Sequence, residues 1–226
     1  MRMNTETARF NMIEQQIRPW DVLDPAVLEL LGTLRREDFV PPQRRALAFV
    51  DAQIPLVDDA PGGPCMLEPK VEARLLQELQ VQRHEKVLEI GTGSGFMAAL
   101  LAHRAMHVHT LECRPALAQM ARESLRRNGV LNVTVHEVSA AEGARGLPGE
   151  APFDVIVLSG ALAEVPRALL AQLKRGGRLA AFVGELPIMQ ARLYTRTGDA
   201  AWSETELFDT VVPRLEGFGA PSRFAF

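Results

Sequence analysis

The feature that most constrains the fold is an alternation of short apolar segments and helix-forming segments that starts after Gln80. Residues 86–90 form an apolar strand, and the pattern predicts a helix over 96–104. The alternation continues with predicted strands at 108–111, 133–135, 153–158 and 178–183, and with predicted helices at 115–128 and 166–174. Because fully apolar strands joined by helices form parallel sheets covered on both faces, the sequence predicts a doubly wound α/β fold.

The segments on either side of this alternation complete the expected architecture. Upstream, apolar residues at helical spacing predict helices over 5–17, 26–34 and 71–79, with Asp24 as the N-cap of the second. Downstream, residues 191–195 and 206–212 predict antiparallel edge strands, which brings the mostly parallel sheet to seven strands. We therefore expect two units. Residues 1–80 are the N-terminal helical extension with a substrate-side loop, packed on the main domain, and residues 81–226 are the cofactor-binding domain.

Composition narrows the possible partners. The chain has 226 residues, 47% of them hydrophobic, and a formal net charge of −3. Nucleic-acid binding needs clustered Lys and Arg, so no nucleic-acid partner is expected. The polar N-terminus and the absence of a long apolar run predict no membrane partner. Two cysteines without a CxxC pair favour reduced thiols and a cytoplasmic protein. His107 and His109 stand two residues apart, but no third ligand is marked nearby, so no metal site is predicted.

The turn after the first strand of the alternation carries three glycines, Gly91, Gly93 and Gly95. In doubly wound sheets, ligands bind beyond the carboxyl ends of the strands, where strand order reverses. A dinucleotide-binding G-x-G-x-x-G would need a third glycine at Phe96, so the spacing argues against that cofactor class. Glu112 lies 19 residues after Gly93, at the end of the second strand, where a carboxylate can accept both ribose hydroxyls of an adenosine.

The combination E-x-G-x-G-x-G plus a strand-end acid resembles class I S-adenosylmethionine-dependent methyltransferases. Three further segments are similar to the protein-L-isoaspartate O-methyltransferase family: residues 34–41 to its "VPRExFVP" signature, residues 87–96 to "VLEIGTGSGY", and residues 153–177 to "FDxI…EIPxxLxxQLxxGG". The resemblance implies S-adenosyl-L-methionine as cofactor and a protein or peptide carboxylate as substrate. It implies these cofactor-binding residues: Glu89, Gly91, Thr92, Gly93, Ser94, Gly95, Glu112, Cys113, Ser139 and Ala140.

The chain departs from the family pattern in two places. After the third strand, Ser139 stands where the family has an aspartate that binds the adenine amino group. In the substrate loop, which reads Cys65, Met66, Leu67 and Glu68, Leu67 occupies the position of a family serine that lies beside the reacting carboxylate. Residues 58–64 also lengthen this loop relative to the family. No catalytic residue is assigned within the loop.

Three hypotheses for the activity remain open at this stage. A carboxylate acceptor is already ionised at neutral pH and needs no general base, which favours carboxyl methylation of isoaspartyl residues and hence protein repair. The altered loop also allows the same fold to methylate a different acceptor. The third hypothesis is a cofactor-binding protein without transferase activity.

Overall fold

The computed structural model describes residues 5–58 and 62–219. Its α-helices are α1 (Thr5–Met12), α2 (Pro25–Thr33), α3 (Pro69–Leu79), α4 (Phe96–Ala102), α5 (Pro115–Arg127), α6 (Ala140–Gly143) and α7 (Arg167–Leu170). A π-helical turn (Ile13–Ile17) and a 3₁₀ turn (Arg18–Trp20) continue α1, and further 3₁₀ turns occupy Arg36–Asp38 and Pro42–Leu47. Asp24 caps α2 by accepting a hydrogen bond from the Ala26 N–H at 2.8 Å, as the sequence predicted.

The strands form a two-stranded ribbon and a seven-stranded sheet. They are β1 (Ile54–Pro55), β2 (Cys65–Met66), β3 (Lys86–Ile90), β4 (His107–Glu112), β5 (Val133–Glu137), β6 (Phe153–Leu162), β7 (Leu173–Glu185), β8 (Ile188–Arg196) and β9 (Trp202–Asp209). The sheet order is β5-β4-β3-β6-β7-β8-β9, and only the β7–β8 and β8–β9 pairs are antiparallel. The doubly wound, mostly parallel seven-stranded fold predicted from the sequence is therefore confirmed.

Strand order reverses between β3 and β6, which places the glycine turn after β3 at the switch point. The chain runs outward from β3 to β5 and then returns to the other side of β3 as β6, whose Leu158 pairs with Ile90. Clefts open at such reversals because the connections on the two sides diverge.

Each face of the sheet carries its own hydrophobic cluster. Val87 and Val155 belong to one cluster, and their chain neighbours Leu88 and Ile156 belong to the other, because successive side chains of a strand point to opposite faces. The first cluster contains α3, α4, α5 and the N-terminal extension, including Met12, Ile17, Leu31, Phe39 and Leu67. The second contains α7 and parts of the tail. The division of the chain at residue 80 stays a prediction.

Several element boundaries differ from those predicted. Helix α4 ends at Ala102, and α3 begins at Pro69, since proline suits the first helical turn. Strand β7 starts at Leu173, so α7 is a single turn and not the predicted helix over 166–174. Strand β9 lies earlier than the predicted 206–212, because it pairs with β8 from Trp202 onward. No helix in the described part of the chain has both the length and the apolar character to cross a membrane.

Candidate functional site

A cleft of about 240 Å³ opens at the carboxyl ends of β3, β4 and β6. Its described walls come from the glycine turn, the ends of β4 and β6, the substrate loop and the tail. Of the residues predicted for the site, those lining this cleft are Cys65, Leu67, Gly91, Gly93, Glu112, Cys113 and Ala140. Three others, Glu89, Thr92 and Ser94, line a smaller cavity beneath the glycine turn together with Met66. Gly95, Ser139 and Glu68 line neither.

All three glycines of the turn adopt left-handed backbone conformations, with φ of +94° at Gly91, +53° at Gly93 and +84° at Gly95. Glycine adopts these angles without the steric cost that a Cβ brings. The Gly91 N–H donates to the carbonyl of Leu111 at 3.0 Å, which fastens the turn to β4. Gly95 caps α4 and packs against Ala121 of α5, so its role in the structure is to join two helices closely.

Glu112 ends β4 with its carboxylate in the cleft wall. One carboxylate oxygen accepts the Gly93 N–H at 2.8 Å, and the other accepts the Arg114 N–H at 3.0 Å. The side chain is thereby held against the glycine turn. Burial raises the pKa of Glu112, while the hydrogen bonds from the backbone lower it.

A chain of buried polar groups lies behind the cleft, and Glu89 is at its centre. Its carboxylate accepts hydrogen bonds from the hydroxyls of Thr110 at 2.7 Å and Ser159 at 2.8 Å. The hydroxyls of Thr92 and Thr110 are 2.6 Å apart and share a further hydrogen bond. Glu89 has no exposed surface, and burial raises its pKa to about 8.

Ser139 is engaged locally as the N-cap of α6. Its backbone N–H and its hydroxyl both donate to the Glu142 carboxylate, at 2.8 and 2.6 Å, and the Glu142 N–H reaches back to the Ser139 hydroxyl at 3.3 Å. This capping box uses the hydroxyl that was predicted to accept from adenine. The neighbouring Val138 and Ala140 line the cleft instead.

The substrate loop is the return arm of the β1–β2 ribbon. Ile54 pairs with Met66 and Pro55 with Cys65, and the Leu56 N–H donates to the Pro64 carbonyl at 2.9 Å. This pairing fixes the base of the lengthened loop, of which residues 59–61 lie outside the described residues.

Buried Arg36 holds the other end of the substrate loop. Its guanidinium donates to the Leu67 carbonyl at 2.6 Å and to the Ala48 carbonyl at 3.1 Å, and it forms an ion pair with Glu72. The same group lies over the Phe96 ring, 4.7 Å from the centroid. Because Arg36 holds the backbone of Leu67, the Leu67 side chain lines the cleft from a fixed position.

Both cysteines of the chain line the cleft as weakly acidic thiols. Burial raises the pKa of Cys65 to about 12 and that of Cys113 to about 11, and nearby carboxylates act in the same direction. A thiolate is the nucleophilic form of cysteine, so neither side chain is suited to nucleophilic or base catalysis at neutral pH.

The tail contributes a cleft wall that the sequence did not reveal. After β9, the Pro213 carbonyl accepts the Ala161 N–H at 2.8 Å, and the Leu215 N–H donates to the Ala161 carbonyl at 2.9 Å. These bonds place Leu215 beside Gly91 and bring Glu216 to the Arg114 side chain, 2.7 Å away. Ser159, within β6, is a further polar wall residue that was missed. It directly follows the strand predicted over 153–158, and that position was the available signal.

Away from the cleft, His107, His109 and His136 cluster on β4 and β5. The facing ring nitrogens of His109 and His136 are 3.1 Å apart, and His107 bonds to the Thr134 hydroxyl. Among the described residues, no group of three His, Cys, Asp or Glu side chains is arranged to hold a metal ion.

The conformation of Gly91 gives a testable prediction. A Cβ at this position would lie 2.7 Å from the Leu215 side chain in a backbone region that disfavours any side chain. We expect Gly91→Ala to lower the free energy of unfolding by roughly 1–3 kcal/mol and to weaken S-adenosylhomocysteine binding at least tenfold, because the backbone is strained and the Leu215 side chain must move within the cleft wall.

Gly129→Ala is the matched control, since Gly129 also has a positive φ but a Cβ added there would have no atom within 4 Å. Gly129→Ala should lower the free energy of unfolding only by the backbone strain and should leave S-adenosylhomocysteine binding unchanged. Urea unfolding and calorimetry on both variants decide the matter. Equal binding by the two variants would contradict the prediction.

The chain is similar to known proteins. The sequence profile of the family described as protein-L-isoaspartate(D-aspartate) O-methyltransferase matches residues 7–212. A protein-L-isoaspartate O-methyltransferase of Koribacter versatilis is 37% identical over 95% of this chain and 94% of its own length. One from Methanoculleus marisnigri is 40% identical over 78% of this chain and 77% of its own.

Solved structures agree on the fold. A protein-L-isoaspartate O-methyltransferase superposes with a TM-score of 0.77 at 22% identity, covering 95% of this chain and 67% of that one. A Plasmodium falciparum protein assigned to the same activity, solved in complex with S-adenosyl-L-homocysteine, gives a TM-score of 0.74 at 16% identity over 95% and 99% of the two chains.

Proposed function

This chain belongs to the protein-L-isoaspartate O-methyltransferase family and is an S-adenosylmethionine-dependent O-methyltransferase, and we propose that its acceptor is the carboxylate of an isoaspartyl residue in a protein or peptide. The observation that carries the proposal is the meeting of two parts in one cleft. The glycine turn with Glu112 forms one wall, and the substrate loop with Leu67 forms another.

The described walls fit the proposed cofactor chemically. Glu112 offers a carboxylate for the ribose hydroxyls, while Leu117 and Val138 offer apolar surface for a purine ring. The positive φ of Gly91 and Gly93 keeps side-chain bulk out of the turn. We propose that these residues, with Cys113 and Ala140, hold S-adenosylmethionine.

The chemistry requires little from the side chains. The bound cofactor supplies a methyl group already activated as a sulfonium. The protein has to hold the acceptor oxygen in line with that carbon and exclude water, and this alignment accounts for a large part of such rate enhancements. The buried Arg36 network, which fixes the backbone at Leu67, serves the alignment by keeping the substrate loop in one position.

The lining of the cleft favours a carboxylate over an amine or hydroxyl acceptor. None of the described lining residues is a histidine or lysine, and the pKa values of Cys65 and Cys113 are raised well above neutrality. A hydroxyl or ammonium acceptor would need a base to remove its proton, whereas a carboxylate does not. In the cell, this activity would serve protein repair. We propose a cytoplasmic location, with which the two free thiols are compatible.

The experiment is a methyl-transfer assay with an isoaspartyl peptide and, as its control, the same peptide with ordinary aspartate. We expect methylation of the first peptide alone, at a rate on the order of 10²-fold below that of relatives with a serine in the loop. The reason is that Leu67 offers no hydrogen bond to the acceptor. Leu67→Ser should recover only part of the rate, because the longer loop also changes the approach to the cleft.

Leu186→Ser is a suitable control for the effect of the substitution itself, because Leu186 is 72% exposed on the β7–β8 turn, outside the lining of the cleft. A wild-type rate equal to that of serine-containing relatives would contradict the role given to Leu67. An absence of turnover on the isoaspartyl peptide, with cofactor binding intact, would point to a different acceptor.

A further inference from the structure

Ser159 is the one hydroxyl among the described residues that line the cleft. It follows the last residue of β6 that pairs with β3, Leu158, and so lies beside Gly91. A Cβ built on Gly91 would be 3.7 Å from the Ser159 Cβ. Ser159 therefore stands at the floor of the cleft, next to the turn that is proposed to hold the methyl donor.

Ser159 also lies on the face of the sheet that the substrate loop covers. Val87 and Val157 share a hydrophobic cluster with Leu67. Glu89 follows Val87 by two residues in β3 and therefore shares its face, and the Ser159 hydroxyl reaches the Glu89 carboxylate on that face at 2.8 Å. Leu67 and Ser159 line both the cleft and the smaller cavity beneath the glycine turn. The wall opposite the apolar residue 67 thus carries a hydroxyl.

The direction of that hydroxyl depends on Glu89. A serine has one proton to donate, and in the structure the Ser159 hydroxyl donates it to the Glu89 carboxylate at 2.8 Å. In that arrangement the hydroxyl presents only lone pairs to the cleft, and lone pairs repel an anionic acceptor. When Glu89 carries a proton, it can donate to Ser159, and the Ser159 proton is then free to turn toward the cleft.

We propose that Ser159 orients the acceptor carboxylate by donating a hydrogen bond to it, the task for which Leu67 has no group, and that Glu89 sets the direction in which the Ser159 hydroxyl points. The inference rests on the proposed function. Ser159 is a positioning residue in this scheme, because it fixes which oxygen of the acceptor faces the methyl donor and takes no part in bond making.

The surroundings of Glu89 favour the protonated form near neutral pH. Burial raises its pKa to about 8, hydrogen bonds from Thr110 and Ser159 lower it, and the charges of Glu72 and Glu112 raise it. The buried cation Arg36 is engaged in its ion pair with Glu72. The positive sulfonium of a bound cofactor lowers the same pKa.

The first test compares wild type, Ser159→Ala and Ser159→Thr in the isoaspartyl peptide assay, followed by formation of S-adenosylhomocysteine. We expect Ser159→Ala to lower kcat/KM for the peptide about 10–100-fold while the cofactor Kd changes less than twofold. Ser159→Thr keeps a hydroxyl and suits a strand, so it should retain at least a third of the wild-type value. Thermal unfolding of each variant establishes that the protein is folded.

The second test uses Glu89→Gln, whose amide can donate to Ser159 at every pH. The wild-type kcat/KM should fall on the alkaline side as Glu89 ionises, since the Ser159 proton then turns back to the carboxylate. Glu89→Gln should remove this alkaline fall. A profile with the same fall in both proteins would overturn the role given to Glu89.

The outcomes separate this inference from the proposed function. An active wild type with an equally active Ser159→Ala variant overturns the inference alone. Equal losses of peptide turnover and cofactor affinity in Ser159→Ala would also overturn it, because the hydroxyl would then serve the cofactor. A wild type that binds S-adenosylmethionine but never methylates the isoaspartyl peptide overturns the proposed function and this inference with it.

Discussion

Arg36→Met is expected to lower the free energy of unfolding by about 3–5 kcal/mol. The Arg36 side chain is 1% exposed, and its partner Glu72 is also buried. The substitution leaves the Glu72 carboxylate without its cation and the carbonyls of Leu67 and Ala48 without a donor. Burial already raises the pKa of Glu72 against the influence of Arg36, so in the variant this carboxyl should take up a proton.

A double-mutant cycle tests whether the loss comes from the stranded carboxylate. Arg36→Met combined with Glu72→Met should be clearly more stable than Arg36→Met alone, because no unpaired charge remains buried. Arg18→Met is the control, since the Arg18–Glu14 pair is exposed and spaced i,i+4, and its loss should cost no more than about 0.5 kcal/mol. The measurement is urea unfolding of wild type and each variant. A loss below about 1 kcal/mol in Arg36→Met would refute the structural role of the pair.

Arg36 also shows what a local sequence pattern can and cannot predict. The segment around Arg36 was identified from the sequence as a family signature, but its physical content was not evident there. Only the fold brings Glu72, from α3, and the Leu67 carbonyl to the guanidinium, across 36 and 31 positions of the chain. Hydrophobic periodicity cannot identify a charged residue that is buried against partners distant in the sequence.

The central strands were predictable for the opposite reason. Strand β3 is buried on both faces and is followed at once by glycines, so its limits and the position of the turn could be predicted directly. The switch point follows from that order of elements. Strand β9 was placed too late because most of its residues are exposed, and an edge strand with polar side chains gives a weak alternation.

Two features of the cleft differ in how far the sequence could predict them. The capping box of Ser139 and Glu142 follows an S-x-x-E pattern that was overlooked when Ser139 was assigned to the cofactor, and it explains where the Ser139 hydroxyl is used. The wall formed by Leu215 was not legible. Its position depends on hydrogen bonds to Ala161, more than fifty residues earlier, and no local propensity encodes such a contact.

Glu112→Ala is expected to weaken the binding of both S-adenosylmethionine and S-adenosylhomocysteine by roughly 3–4 kcal/mol, about 10²–10³-fold in Kd. The carboxylate is held in the cleft wall by the Gly93 and Arg114 N–H groups, so it is already oriented before any ligand enters. Its loss removes two charge-assisted acceptors for the ribose hydroxyls and also leaves the Gly93 N–H without its partner.

Glu137→Ala is the matched control for this prediction. Glu137 is the register partner of Glu112 at the end of β5, but it lies on the surface and outside the lining of the cleft. Its removal should leave both affinities unchanged within twofold. Calorimetric titration of each protein with each ligand supplies the comparison, with thermal unfolding as the check on folding.

The ratio of the affinity losses for the two ligands identifies which part of the ligand Glu112 recognises. The ribose is common to S-adenosylmethionine and its demethylated product, whereas only the first carries the sulfonium charge. Equal losses for both ligands in Glu112→Ala are therefore the expected result, since hydrogen bonds to the ribose do not distinguish them. A loss confined to S-adenosylmethionine would mean that the carboxylate acts through its charge on the sulfonium, and the assignment of Glu112 to the ribose would then be wrong.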